Sequence, residues 1–281
     1  MRLITLLLLA LSACAADGRR IISTAPSITE TLFAMGLGPR IVGVTVYCNF
    51  PPEAATLPKI GTLLKPDPEA ILALRPDLVV VQKQPNNLPQ QLDRLHIKYV
   101  VMETSNLDMI YAGARVVGKA TGESAAAERL INKMQTEMQA LAELVANKAR
   151  PRVAFIVGHT AGRLEGMVAG SSRSYFSDLL NAGGGTNIFS DVAAAYPKIS
   201  LEQILSRDPD VILELSGESR PKQEEVLALW RSLPRLKAVA AKRVFALPSG
   251  PFLIPGPRAP EAARLVLRLL HPEISLPEPG K

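Results

Sequence analysis

The chain has 281 residues, 47% of them hydrophobic and 21% charged, with a formal net charge of +6. This length and composition fit one large or two medium globular units and exclude a disordered, fibrous or low-complexity chain. The Lys and Arg residues are scattered, with no basic run interleaved with aromatics, so the charge reads as a solvated surface and not as a nucleic-acid footprint.

The first element is "MRLITLLLLALSAC", with a positive charge at Arg2, an apolar run from Leu3 to Leu11 and small residues before Cys14. The run is too short to span a bilayer and reads as a secretory leader. "LSAC" resembles the lipobox of bacterial lipoproteins, which implies cleavage before Cys14, acylation of its thiol and a signal segment over 1–14. Ordinary secretion with cleavage near "ACAAD" is the alternative. With Cys14 acylated, Cys48 has no disulfide partner in the chain and is either a small buried residue or a ligand-facing one.

"RIIS" then predicts a short strand turning at Pro26, with Ser27 as helix N-cap and Glu30 completing a capping box. The helix stops at Gly36 to Gly38 and "RIVGVT" forms the next strand. Helix 68–75, strand "DLVVVQ", helix "LPQQLDRLH", strand "KYVVME" and helix 105–118 follow. Apolar strands alternating with helices imply a parallel sheet covered on both faces.

From Glu123 to about Lys148 there is no Gly or Pro, and Leu130, Met134, Met138, Leu141 and Val145 form one apolar stripe. Such a helix is on the order of 40 Å long, enough to bridge two lobes. After it, strand "VAFIVGH", helix and strand within "SYFSDLLNAGGGTNIF", helix "SLEQILSRDP" and strand "DVILEL" restart the alternation. Helix 221–231, strand "RVFALP" and helix 258–270 complete it. "EAILALRPDLVVV" at 69–81 and "EQILSRDPDVILE" at 202–214 are copies of one unit, each headed by a glutamate. The chain therefore reads as a diverged duplication: an N-terminal α/β lobe (19–120), a connecting long helix (121–150) and a C-terminal α/β lobe (151–281).

Enzyme motifs are absent from the sequence. His96, His159 and His271 are widely separated and not at metal-ligand spacing. His96 and His271 are expected on the surface, and His159, after "VAFIVG", is a candidate to reach a cleft. "GGG" at 183–185 lacks the Walker lysine and reads as a helix stop, and there is no G-x-S-x-G elbow or H-E-x-x-H. Two open sheets facing each other across their carboxyl edges make a cleft, so the loops after the strands are the candidate binding residues. The chemistry read here is binding, with no catalytic residue, cofactor or directly bound metal.

Over residues 19–272 the chain resembles the bacterial periplasmic substrate-binding proteins of metal-chelate ABC importers, whose two lobes are joined by one long helix. The resemblance is carried by "APSITETLFAMGLG", "VGVTVYCNFPPEA", "PDPEAILALRPDLVVV" and "YPKISLEQIL". It implies an α/β fold of two similar parallel-sheet lobes on a helical backbone, working outside the cytoplasm as a monomer. "VYCNFPPEA" and "YPKISLEQIL" are most similar to the cobalamin-binding branch; haem and ferric-siderophore binders share the scaffold. Carried over by motif position, Tyr47, Phe50, Tyr196 and Phe252 pack on the ligand's macrocycle, although Phe50 and Phe252 equally suit internal packing. Leu63 stands where the cobalamin binders have Trp, and Gly250 and Pro251 replace an acidic-aromatic pair. Tyr47 or Cys48 has the chemistry to ligate the metal of a bound chelate axially. Arg258 is placed to meet a propionate or phosphate, or to cap the last helix. The resemblance further implies that Glu69 and Glu202 dock on arginines of the two copies of the importer's membrane subunit.

Overall fold

A computed structural model of the protein describes residues 19–216 and 220–276. The leader and Cys14 lie outside the described residues. The N-terminal lobe contains β1 (Ile21–Ser23), α1 (Pro26–Ala34), β2 (Ile41–Val44), α2 (Pro52–Ala55), α3 (Pro68–Ala73), β3 (Leu78–Gln82), α4 (Leu88–Arg94), β4 (Tyr99–Met102) and α5 (Leu107–Thr121). The connecting helix α6 (Ser124–Leu144) follows. The C-terminal lobe contains β5 (Arg152–Gly158), β6 (Met167–Ala169), α7 (Tyr175–Ala182), β7 (Thr186–Asn187), β8 (Lys198–Ile199), α8 (Leu201–Arg207) and β9 (Val211–Leu215). It ends with α9 (Arg220–Arg231), α10 (Lys237–Ala240), β10 (Val244–Leu247), α11 (Gly250–Leu253) and α12 (Ala259–Leu270).

The duplication is visible in the topology. The first sheet is fully parallel in the order β2-β1-β3-β4. The second repeats that order as β7-β5-β9-β10, again parallel. It departs from the expected lobe by one addition: β6 and β8 run antiparallel beside the carboxyl end of β5. Lys198 and Ile199 of the motif "YPKIS" supply β8. β7 pairs with β5 only at Arg152 and Val153, which leaves the upper edge of β5 open for β6, with β8 beyond it.

Strand alternation sorts the core into three layers. Ile21 and Val80 face one way and Ile22, Val79 and Val81 the other. In the second sheet Val153, Phe155, Val211 and Leu213 face one core, and Ala154, Ile156 and Ile212 face another. Ile71 of α3, with Leu88 and Leu92 of α4, covers the outer face of the first sheet. Ile204 of α8, with Val226 and Trp230 of α9, covers that of the second. Between the sheets lies one continuous core to which α1, α5, α6, α7 and α12 all contribute. The stripe Leu130, Met134, Met138, Leu141 and Val145 is buried in it as expected, and α6 packs on α5, α7 and α12. The helix is shorter than its composition allows: 21 residues, about 31 Å. Gly122, in the left-handed conformation, ends α5 and separates it from α6.

Three local expectations need correction. Helix α1 starts at Pro26 with Ala25 as its N-cap and no side-chain cap, because Pro at the first helical position needs no N–H partner. Ser27 instead donates to Gln82 Oε1 at 3.1 Å, and Glu30 turns inward. His271, expected on the surface, is buried under the loop after α7. Its Nε2 lies 3.3 Å from the Gly184 carbonyl. A Cβ on Gly184 would come within 2.6 Å of that nitrogen, and the glycine's φ of +79° is itself unfavourable to a side chain.

The lobes also meet through polar contacts. Tyr175 N–H donates to the Ser105 carbonyl at 2.7 Å, and Leu107 N–H at the head of α5 donates to Asp178 Oδ2 at 2.8 Å. Burial pushes the Asp178 carboxyl up to about 6, against the pull of that N–H. A raised acid contributes stability that is full below its unfolded pKa and is lost as pH rises through the folded one. Relative to Asp178→Asn, which keeps an acceptor for Leu107, wild-type Tm is expected to fall between about pH 4 and about pH 6. Parallel Tm curves for the two proteins would refute this.

Candidate functional site

All four strands of the first sheet end at one edge, and the loops beyond that edge carry most of the candidates. Gln82 closes β3 as a polar residue in a fully buried strand. Its N–H bonds Thr24 Oγ1 at 2.9 Å and its side-chain amide donates to Thr104 Oγ1 at 2.9 Å. With Ser27 on the other end of the amide, the residues following β1, β3 and β4 are tied into one wall. Beside it Lys83 Nζ reaches Glu103 Oε2 at 2.6 Å, and Ser105 donates to Glu103 Oε1 at 3.1 Å. The Lys83 bond holds the Glu103 carboxyl below its ordinary range.

Facing this wall are Tyr196 and Pro255 from the C-terminal lobe. Together these residues line an open cavity of about 620 Å³. A smaller one of about 180 Å³ shares Gln82, Gln84, Thr104 and Pro255 and adds Ser27, Leu63, Leu253 and Ile254. The cavities form one cleft between the lobes, at the carboxyl edge where an open α/β sheet binds ligands.

The predicted residues divide. Tyr196 and Leu63 line the cleft. Tyr196 is 41% exposed, and its ring stands edge-on to Phe176 at 6.0 Å. Tyr47, 60% exposed, follows β2 at the same sheet edge as Gln82. Phe50 is 46% exposed, and its ring lies 4.3 Å from the Arg258 guanidinium.

Three candidates are corrected. Cys48 is fully buried, and its Sγ lies 3.1 Å from both Thr29 Oγ1 and Thr45 Oγ1, so it faces the core and not a ligand. Phe252 is fully buried 6.1 Å from Phe155, which leaves no face for a macrocycle. Arg258 gives two of its five N–H donors to Glu30, Nε at 2.9 Å and Nη2 at 2.7 Å, so its charge is paired across the lobes without any propionate. His159 does not turn into the cleft. Its Nε2 approaches buried Glu214 Oε1 at 2.9 Å without hydrogen-bond alignment, while Trp230 Nε1 donates to Glu214 Oε2 at 2.5 Å.

Glu69 and Glu202 are exposed second residues of α3 and α8. A crossover helix runs antiparallel to its strands, so both helix heads stand at the carboxyl edge, one on each lobe. Sequence reasoning included Gln82 and Glu30 only as members of the loops after the strands, "QKQPNN" and "APSITE", and missed Thr104. A polar residue closing the apolar run "LVVV" was the available signal for Gln82.

A fold of two like α/β lobes on one helix, with a cleft at the paired carboxyl edges, defines a capture protein. Residues 21–251 match the family model described as periplasmic binding protein, and the chain belongs to that family. It is 30% identical over 251 residues to the vitamin B12-binding protein of Pectobacterium carotovorum subsp. carotovorum strain PC1, covering 88% of each chain. Among solved structures, the periplasmic vitamin B12 binding protein BtuF of Vibrio cholerae is similar at 27% identity and TM-score 0.75, covering 90% of this chain and 97% of that one. The periplasmic heme-binding protein RhuT of Roseiflexus sp. RS-1, in apo form, is similar at 26% identity and TM-score 0.75, covering 90% and 98%. No helix among the described residues is long and apolar enough to cross a membrane.

Proposed function

We propose that this chain is the extracytoplasmic solute-binding component of an ABC importer, tethered through an acylated Cys14, and that it captures cobalamin between its lobes. One observation favours cobalamin over an anionic chelate. Among the described residues, Lys83 is the only cation lining the two cleft cavities, and it is already paired with Glu103. The neutral polar side chains of the wall facing Tyr196 are amide and hydroxyl: Gln82, Gln84, Thr104 and Ser105. Such a wall matches the carboxamide rim of a corrin and offers little to the two carboxylates of haem, whose burial requires partners. Tyr196 supplies an aromatic face at low entropic cost.

Haem is the second reading, and the exposed Tyr47 phenol supports it, because a phenolate is a good ligand for ferric iron. Visible spectra of protein incubated with cyanocobalamin or haemin and then desalted separate the two, with retained cobalamin absorbance expected. Tyr196→Ala is expected to weaken cobalamin binding by about 1–3 kcal/mol, as for a buried aromatic anchor. Wild-type affinity in both Tyr47→Ala and Tyr196→Ala would remove the ligand from this cleft. A spectral change in the haemin complex of Tyr47→Phe would mark axial ligation, since Phe stacks but does not coordinate.

A further inference from the structure

Glu30 lies one turn along α1 from Ser27, which lines the cleft, and its side chain is only 2% exposed. Arg258 comes from the other lobe, three residues beyond Pro255, and is itself mostly buried. The pair therefore links two segments, one from each lobe, that also supply residues lining the cleft. The Tyr175 hydroxyl donates to the Pro251 carbonyl at 3.1 Å and ties down the same approach to α12.

Removing two charges from water is expensive, and a well-packed apolar pair would hold the lobes together at least as well. An apolar pair would not, however, impose a single orientation. The planar guanidinium fork fits a carboxylate in one geometry, and its flat face covers Phe50 at the same time.

We propose that Glu30, Arg258 and Phe50 form a positioning unit for ligand capture, which sets the spacing of the two lobes across the cleft and holds the Phe50 ring at its edge. The shared helical core resists separation of the lobes but permits small sliding of packed helices, and the fork selects one position among these. The role in capture rests on the function proposed above; the effect on lobe spacing does not.

The test uses spin labels at Leu72 on α3 and Leu205 on α8, both exposed, in a Cys14→Ser background where Cys48 stays buried and unlabelled. Arg258→Lys keeps the charge but loses the fork and the plane. Glu30→Leu with Arg258→Met removes both charges. Both variants are expected to keep the wild-type circular dichroism, broaden the distance distribution between the labels, and release cyanocobalamin about tenfold faster through lost preorganisation. An unchanged distribution and unchanged release in Arg258→Lys would overturn the proposal, and that variant alone decides if the double one does not fold. A wild type that retains neither cyanocobalamin nor haemin would count against the proposed ligand class, and the label distances would then decide on lobe spacing by themselves.

Discussion

Reversing both helix-head acids, Glu69→Arg with Glu202→Arg, is expected to abolish uptake through the importer and leave ligand affinity unchanged. Neither glutamate is needed to cap its helix. Asp67 accepts from the N–H groups of Glu69 and Ala70 at the head of α3. Ser200 and Gln203 form a complete capping box at the head of α8. Neither carboxylate has an ion-pair partner among the described residues, and both are exposed. What remains within the chain is an interaction with the helix dipole, about 0.3–1 kcal/mol each, too little to unfold the protein on reversal. We propose that these two acids, one per lobe at the cleft edge, dock on a two-fold partner carrying cations; a charge reversed in such a contact repels instead of attracting. Uptake by the double variant at the wild-type rate would leave the helix dipole as the better account of both residues.

Phe155→Ala is expected to destabilise the protein by about 3–5 kcal/mol, the range for truncating a buried Phe. Phe155 is fully buried in β5, stacked on Phe176 of α7 at 4.3 Å with an interplanar angle of 21°, and close to Phe252 of α11. Truncation leaves a void among residues that are themselves pinned by the sheet and by α12, so the site has little means of collapsing. At roughly 2–4 °C per kcal/mol for a chain of this order, Tm should fall by about 6–20 °C. A loss below about 1 kcal/mol would mean that the cluster repacks and that the core between the sheets is softer than its burial implies.

Much of this architecture was legible in the residues. The recurrence of a glutamate-headed helix before Pro-Asp and an apolar strand predicted two like lobes, and both sheets carry the same parallel strand order. The 3.6-residue stripe of the connecting helix predicted its buried face, and the glycine run at 183–185 marked the end of α7. The added antiparallel pair of β6 and β8 was not legible, because strands this short carry no measurable alternation. Among the candidate site residues, Tyr196 and Leu63 line the cleft cavities, Tyr47 stands at its sheet edge, and Cys48 and Phe252 face inward. In a loop, sequence fixes no periodicity from which a side chain's direction follows.

The sequence by itself determined the elements, their order and their duplication, since each rests on contacts between near neighbours: helical stripes, strand alternation, caps and stops. Only the tertiary structure decided which polar groups are consumed and which remain free. Glu30 has the spacing of a capping-box acid, yet it bonds an arginine 228 residues away. Arg258 has the placement of a ligand contact, yet it is neutralised before any ligand arrives. A carboxylate's partner is set by what desolvation leaves within about 3 Å of it, and that depends on how the two lobes pack across their shared helices.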